Sequence, residues 1–220
     1  MTPSVKITYF VHGTTFDNEK GISTGWLPGE LSELGKKQSR ELANAITEKK
    51  FDVVFCSDLK RAVDSAKLTF GNTVQIITDS RLRECNYGDL NGGEEKKVKQ
   101  LMEQSINTPF PNGESYKQVE KRIREFVEFL RANYSRKSIA IVAHQAPQLA
   151  LDVIVNGKTW REAIRDDWRR KTPKEWKPGW KYQYLTKNSN NRLSKLFGTF
   201  KSKVTTRTLI DEARAGGWHE

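Results

Sequence analysis

The chain has 220 residues, 36% hydrophobic and 30% charged, with a net charge of +11. That length holds one good-sized α/β domain, or a domain with an extension, and the apolar fraction suffices for a real core. No run approaches the roughly 20 apolar residues that span a bilayer, and MTPSVKITYF enters a strand almost at once, so no signal peptide or membrane span is read and a cytoplasmic protein is expected.

Val5 to Val11 reads as a buried strand that ends on His12. Gly13 to Glu30, rich in Gly, Thr, Asn and Pro, reads as a long functional loop. Ser32 caps a helix with apolar positions Leu34, Leu42, Ala45 and Ile46. Asp52 to Cys56 is a second strand, Asp58 to Phe70 a helix, and Val74 to Ile77 a third strand. Gly88 to Pro111 is a polar excursion with a helix around Glu94 to Ile106. Glu114 begins the best amphipathic helix, with Val119, Ile123, Phe126, Val127 and Leu130 at three- and four-residue steps. Ser138 to Ala143 is a fourth strand ending on His144, and a helix runs from about Pro147 to Val155. Strands alternating with helices predict a three-layer α/β/α domain with a mostly parallel sheet.

The charge is unevenly spread. Residues 157–207 hold 15 Lys/Arg against 4 Asp/Glu, whereas the rest of the chain is nearly neutral. Trp160, Trp168, Trp176 and Trp180 sit in this stretch. Thr159 caps a helix to about Arg170, KTPKEWKPGW looks like an extended wrap, and KNSNN (187–191) like a linker. A short apolar stripe follows at Leu193, Leu196, Phe197 and Phe200. Such a segment can stack nucleic-acid bases, sit on an anionic surface, or dock its tryptophans on the domain near the site. The tryptophan spacing favours docking. Cys56 and Cys85 lack metal-type spacing and read as two reduced thiols.

A buried strand that ends on histidine delivers an imidazole to the carboxyl end of the sheet, where ligands of α/β folds bind. Two such strands suggest one shared site. Neutral imidazole is a nucleophile that can attack phosphorus. The transferring phosphoryl group needs cations or N–H donors, and its leaving oxygen needs a proton from an acid.

The segments VHGTT-x-x-N (11–18), STGW (23–26), ELSELGKKQ (30–38), SDLKRAVDSA (57–66), LRE-x-x-x-G-x-x-x-G (82–92), PNGES (111–115) and VAH (142–144) occur in an order and spacing that resemble the histidine phosphatase superfamily, the phosphoglycerate mutase-like group. The resemblance spans residues 5 to about 156. It implies a phosphomonoesterase without metal or cofactor, acting on a small phosphorylated substrate. It also implies roles: His12 as the phosphorylated nucleophile, Arg61 and His144 as ligands of the phosphoryl oxygens, and Glu84 as the acid for the leaving alcohol. Asn18, Thr24 and Gly25 fall on phosphate- or substrate-facing loop positions, and Arg83 falls where some relatives hold an acidic substrate group. Together with the composition of the late segment and the linker candidate at 187–191, this divides the chain into a phosphatase-like domain (1–185, with the Trp-rich arm from 157) and a basic tail (186–220).

One position departs from the pattern: Val11 stands where the family has arginine before the His-Gly pair. Three readings follow: a slow enzyme, a pocket rewired around another cation, or a pseudophosphatase that binds a phospholigand or partner without turnover. Arg83 and the cations of the Trp-rich stretch are the candidates for rewiring. Mutase activity and polyanion binding through the basic arm rank below these. The sequence leaves oligomeric state open.

Overall fold

A computed structural model of the chain describes residues 4–46, 50–171, 176 and 179–185. The elements are β1 (Ser4–Val11), α1 (Phe16–Glu19), β2 (Ile22–Ser23), α2 (Glu33–Ala45), β3 (Val53–Cys56), α3 (Lys60–Phe70), β4 (Ile76–Thr78), β5 (Gly93–Glu94), α4 (Glu95–Leu101), α5 (Tyr116–Asn133), β6 (Ser138–Ala143), α6 (Gln145–Ile154), α7 (Trp160–Asp166), α8 (Trp168–Lys171) and β7 (Gly179–Leu185).

The main sheet has the order β4-β3-β6-β1-β7. The first four strands are mutually parallel, and β7 runs antiparallel along β1. Side chains alternate across this sheet, as a pleated strand requires. Val5, Ile7, Tyr9 and Val11 join Phe55, Ile139 and Ile141 in a core shared with α5 and α6. Phe10, Val54, Cys56, Ala140 and Val142 face the opposite way, onto Leu42 and Ile46 from the α2 end and Ala66 and Phe70 of α3. Both faces are covered, so the strands read as near-continuous apolar runs. This is the expected three-layer architecture.

Several expectations need adjusting. Leu34 was expected on the inner face of α2, yet it is half exposed, and Gly35, Gln38, Ser39 and Leu42 turn inward instead. Gly35 sets this rotation: a Cβ there would lie 1.9 Å from the Thr14 carbonyl oxygen, so only glycine lets α2 approach the loop after His12 this closely. The helix α5 begins at Tyr116, because Ser115 and Gln118 form a reciprocal capping box. The preceding Glu114 instead pairs with Arg122. The helix expected over 94–106 is α4 followed by a separate 3-10 turn at Gln104–Ile106.

The helix expected from Thr159 to Arg170 breaks at Asp167, which turns extended and accepts from the Arg169 N–H at 3.1 Å, so a new short helix starts there. The chain then returns as β7, an edge strand the sequence reading did not anticipate. Parts of the proposed wrap (172–175, 177–178) and the whole 186–220 tail, with the linker and apolar stripe, lie outside the described residues. Among the described residues no helix is long and apolar enough to cross a membrane.

Candidate active site

β1 and β6 are neighbours in a register that pairs Val11 with Ala143. The residues that follow, His12 and His144, therefore leave the sheet side by side. The His12 N–H donates to the Ala143 carbonyl at 3.0 Å, and the two rings lie 5.0 Å apart, centroid to centroid, at 61°. The His12 Nδ1 lies 2.7 Å from the Gly13 carbonyl. A carbonyl only accepts, so Nδ1 carries the proton and Nε2 keeps its lone pair. Burial, then the charge of Arg61, pushes the His12 pKa down to about 3. The ring is thus neutral and nucleophilic at physiological pH.

His144 is fully buried, and neither ring nitrogen has a hydrogen-bond partner among the described residues. Burial, then Arg61 and His12, holds its pKa well below the usual histidine value. Buried polar atoms are normally satisfied. An unpaired imidazole facing another imidazole and a guanidinium has the chemistry of an anion ligand.

Arg61 comes from the first turn of α3 and is buried. Its Nη2 donates to the Gly25 carbonyl at 2.7 Å and its Nη1 to the Leu27 carbonyl at 3.2 Å. Those contacts depend on the loop before α2. Thr24 donates its hydroxyl to Asp17 at 2.7 Å, and Gly25 adopts φ +56°, where a Cβ would collide with Asn91 Oδ1 at 1.7 Å. The side chain of Asn18 completes a capping box with Thr15. Asn18, Thr24 and Gly25 thus lie in or beside the loop whose carbonyls receive Arg61.

Glu84 lies opposite the start of α6. His144 is the N-cap of that helix but makes no side-chain cap bond. The Glu84 carboxylate fills this role: Oε1 accepts from the N–H groups of Cys85 at 2.8 Å and Ala146 at 3.0 Å, and Oε2 from that of Gln145 at 3.1 Å. A carboxylate suits a helix N-terminus, where unpaired N–H groups and the macrodipole favour negative charge. Arg122 fixes the segment, donating to the carbonyls of Arg83 at 2.7 Å and Glu84 at 2.9 Å. Arg83 itself is committed to Asp58 through a two-pronged pair at 2.8 and 2.6 Å, and lies 4.8 Å over the Trp26 ring. Trp26 in turn donates to the Glu84 carbonyl at 2.7 Å.

Val11 packs into the larger core beside Tyr9 and Ala143 and brings no donor to the site. Cys56 and Cys85 are free and buried, and burial pushes the Cys56 thiol up to about 12 and that of Cys85 well upward. Among the described residues no cluster of three His, Cys, Asp or Glu side chains could hold a metal ion.

Sequence reasoning missed Tyr9, Gln145, Asp167 and Arg122, and among the cations of the Trp-rich stretch it did not single out Arg169. Tyr9 looked like one more core aromatic. Asp167 and Arg169 sit in the arm, where the only available signal was a concentration of charge. The arm does reach the site: Trp176 Nε1 donates to the His12 carbonyl at 3.2 Å. Trp160 is buried on Tyr116 with ring centroids 5.2 Å apart, and its Nε1 donates to Glu120 at 2.7 Å.

Comparison with known proteins gives the class to which this fold belongs. The model of the histidine phosphatase superfamily (branch 1) matches residues 9–158, and the chain belongs to that family. It is similar to phosphoserine phosphatase 1 of Hydrogenobacter thermophilus, with 28% identity over 156 residues, covering 67% of this chain and 74% of the relative. It is also similar to a 2,3-bisphosphoglycerate-dependent phosphoglycerate mutase of a Methylobacterium species, with 29% identity over 164 residues, covering 67% and 79% of the two chains. Among solved structures, mycobacterial glucosyl-3-phosphoglycerate phosphatase in complex with VO3 superposes with a TM-score of 0.64 at 28% identity, covering 73% of this chain and 86% of that one.

Proposed function

We propose that the chain is a phosphomonoesterase that passes the phosphoryl group of a small phosphate ester to His12 and then to water. The observation that carries this reading is the 5.0 Å approach of the two histidine rings, beside a buried guanidinium whose charge acts on both.

In the first step His12 Nε2 attacks phosphorus. An N–P bond forms, the P–O bond to the alcohol breaks, and the leaving oxygen takes a proton from Glu84, which enters this step as the carboxylic acid and leaves it as the carboxylate. In the second step water attacks the phosphohistidine and gives a proton to the Glu84 carboxylate. The N–P bond breaks and inorganic phosphate leaves. Arg61 and His144 hold the equatorial oxygens throughout, which is where transition-state charge concentrates. Thr24, Gly25 and Asn18 act through the loop that holds Arg61, and Arg83 through Trp26. The substrate class is read from relatives named for phosphoserine, phosphoglycerate and a glucosyl-3-phosphoglycerate. A cytoplasmic location belongs to the same reading, supported by two unpaired buried cysteines.

A second reading has its own support. Val11 is apolar and buried at the strand position next to the nucleophile, which fits a domain that binds a phospholigand without turning it over. Release of phosphate from a generic aryl phosphate, compared between wild type and His12→Ala, separates the two. Hydrolysis that disappears in the variant, with a ³²P label on wild-type His12, supports the enzyme. Absence of His12-dependent release between about pH 5 and 8, with phosphate binding retained, supports the binding domain.

A further inference from the structure

The arm is tied to the site by a chain of polar side chains. Asp167 is fully buried and bonds Arg169 Nη1 at 2.9 Å. Its other oxygen accepts from the Gln145 side-chain amide. The Gln145 backbone N–H is one of the three donors on Glu84. Arg169 Nη1 also donates to Gln148 Oε1 at 3.1 Å, one turn into α6. Arg169 therefore sits on the first turn of the helix that His144 opens.

The path of the chain confines Arg169 to the same end of the sheet. After α8 the chain passes Trp176, which touches the His12 carbonyl, and then enters β7 with Gly179 opposite Phe10. The stretch from Asp167 to Gly179 thus spans from the start of α6 to the carboxyl end of β1. These two elements flank the paired histidines.

We propose that Arg169 is a second phosphate-binding cation of this site, working with Arg61 on the phosphoryl oxygens. The proposal rests on the phosphoryl-transfer reading above. Both imidazoles are neutral, Val11 supplies no donor, and a phosphate monoester at neutral pH carries close to two negative charges, so Arg61 alone leaves much of that charge unmatched. The charges acting on His12 include that of Arg169 as well as that of Arg61. Asp167, Gln148 and the Trp168 ring at 4.8 Å fix the plane of its guanidinium.

The competing view is that Arg169 only fastens the arm to α6. Orthovanadate binding to the full chain distinguishes the two. Arg169→Met keeps a stem of similar length over Trp168 and removes the charge. We expect it to weaken vanadate binding on the order of 10- to 100-fold, the loss of one charge-assisted contact. Arg169→Lys should lie between, and Arg170→Ala, on the exposed side of α8, should bind like wild type. Vanadate affinity in Arg169→Met within about twofold of wild type overturns the proposal.

A second measurement reads the wild-type protein itself and uses variants only to assign resonances. In wild type the arginine Nε–H resonances of Arg61 and Arg169, assigned with Arg61→Lys and Arg169→Lys, should both move on adding vanadate. Movement of Arg61 alone overturns the role of Arg169 and leaves the phosphatase reading intact. Movement of neither, with no binding, overturns both.

Discussion

Tyr9 and His144, 135 positions apart, exchange two hydrogen bonds. The Tyr9 hydroxyl donates to the His144 carbonyl at 2.7 Å and accepts from the His144 N–H at 3.0 Å. A side chain of β1 thus takes both main-chain polar groups at the point where β6 ends and α6 begins. Burial, and then the charge of Glu84, holds the phenol well above its usual pKa, so it remains a donor.

Tyr9→Phe should leave the His144 N–H buried and unpaired and remove one partner from its carbonyl, which as N-cap also accepts within α6. The expected cost is about 1–3 kcal/mol for an unsatisfied buried group, with a loosened His144 and a lower kcat. Urea denaturation and steady-state kinetics check this. A stability within error of wild type would show that the bridge is dispensable.

Glu84→Gln separates the two jobs of one carboxylate. The amide oxygen can still accept from Cys85 and Ala146, but its NH2 group would face the Gln145 N–H, so helix capping is only partly kept. A moderate drop in stability is expected. The larger effect should be in rate, ~10²–10⁴-fold for a lost acid/base group. Aryl phosphates with better leaving groups should be hurt less in the first step, and a loss independent of leaving group would argue against Glu84 as the acid.

Gly25→Ala tests the support of Arg61. The positive φ and the clash with Asn91 Oδ1 force the loop to shift, and the carbonyl that takes Arg61 Nη2 shifts with it. Weaker phosphate binding, seen as a raised KM and a raised inhibition constant for inorganic phosphate, is expected. Unchanged values would mean that Arg61 is held by α3 alone.

Acid should destabilise this protein earlier than its carboxylates require. In the fold His12 titrates at about 3, below its ordinary 6.5, and His144 is shifted in the same direction. Between those values the unfolded chain binds protons that the folded chain refuses. Stability therefore rises with pH through this window and falls as pH drops from about 6.5 toward 3. The urea midpoint at about pH 5 should lie clearly below that at about pH 7.5, and His144→Asn should flatten the slope. A midpoint independent of pH over that range contradicts the burial of neutral imidazoles.

The parallel core and the pairing of His12 with His144 were legible in the chain. Apolar runs, turn residues and strand-end histidines are local features, and the spacing of seven motifs restricts how they assemble. Leu34 misled because its face is set by a close approach of Gly35 to Thr14, a contact between elements. The arm shows the limit most clearly. Its charge was visible, but the break at Asp167, the antiparallel addition of β7 to β1 and the seat of Arg169 on α6 were not. They depend on partners about 20 to 180 positions away, and the energy of such pairings lies in register and burial, which no local pattern of residue types records.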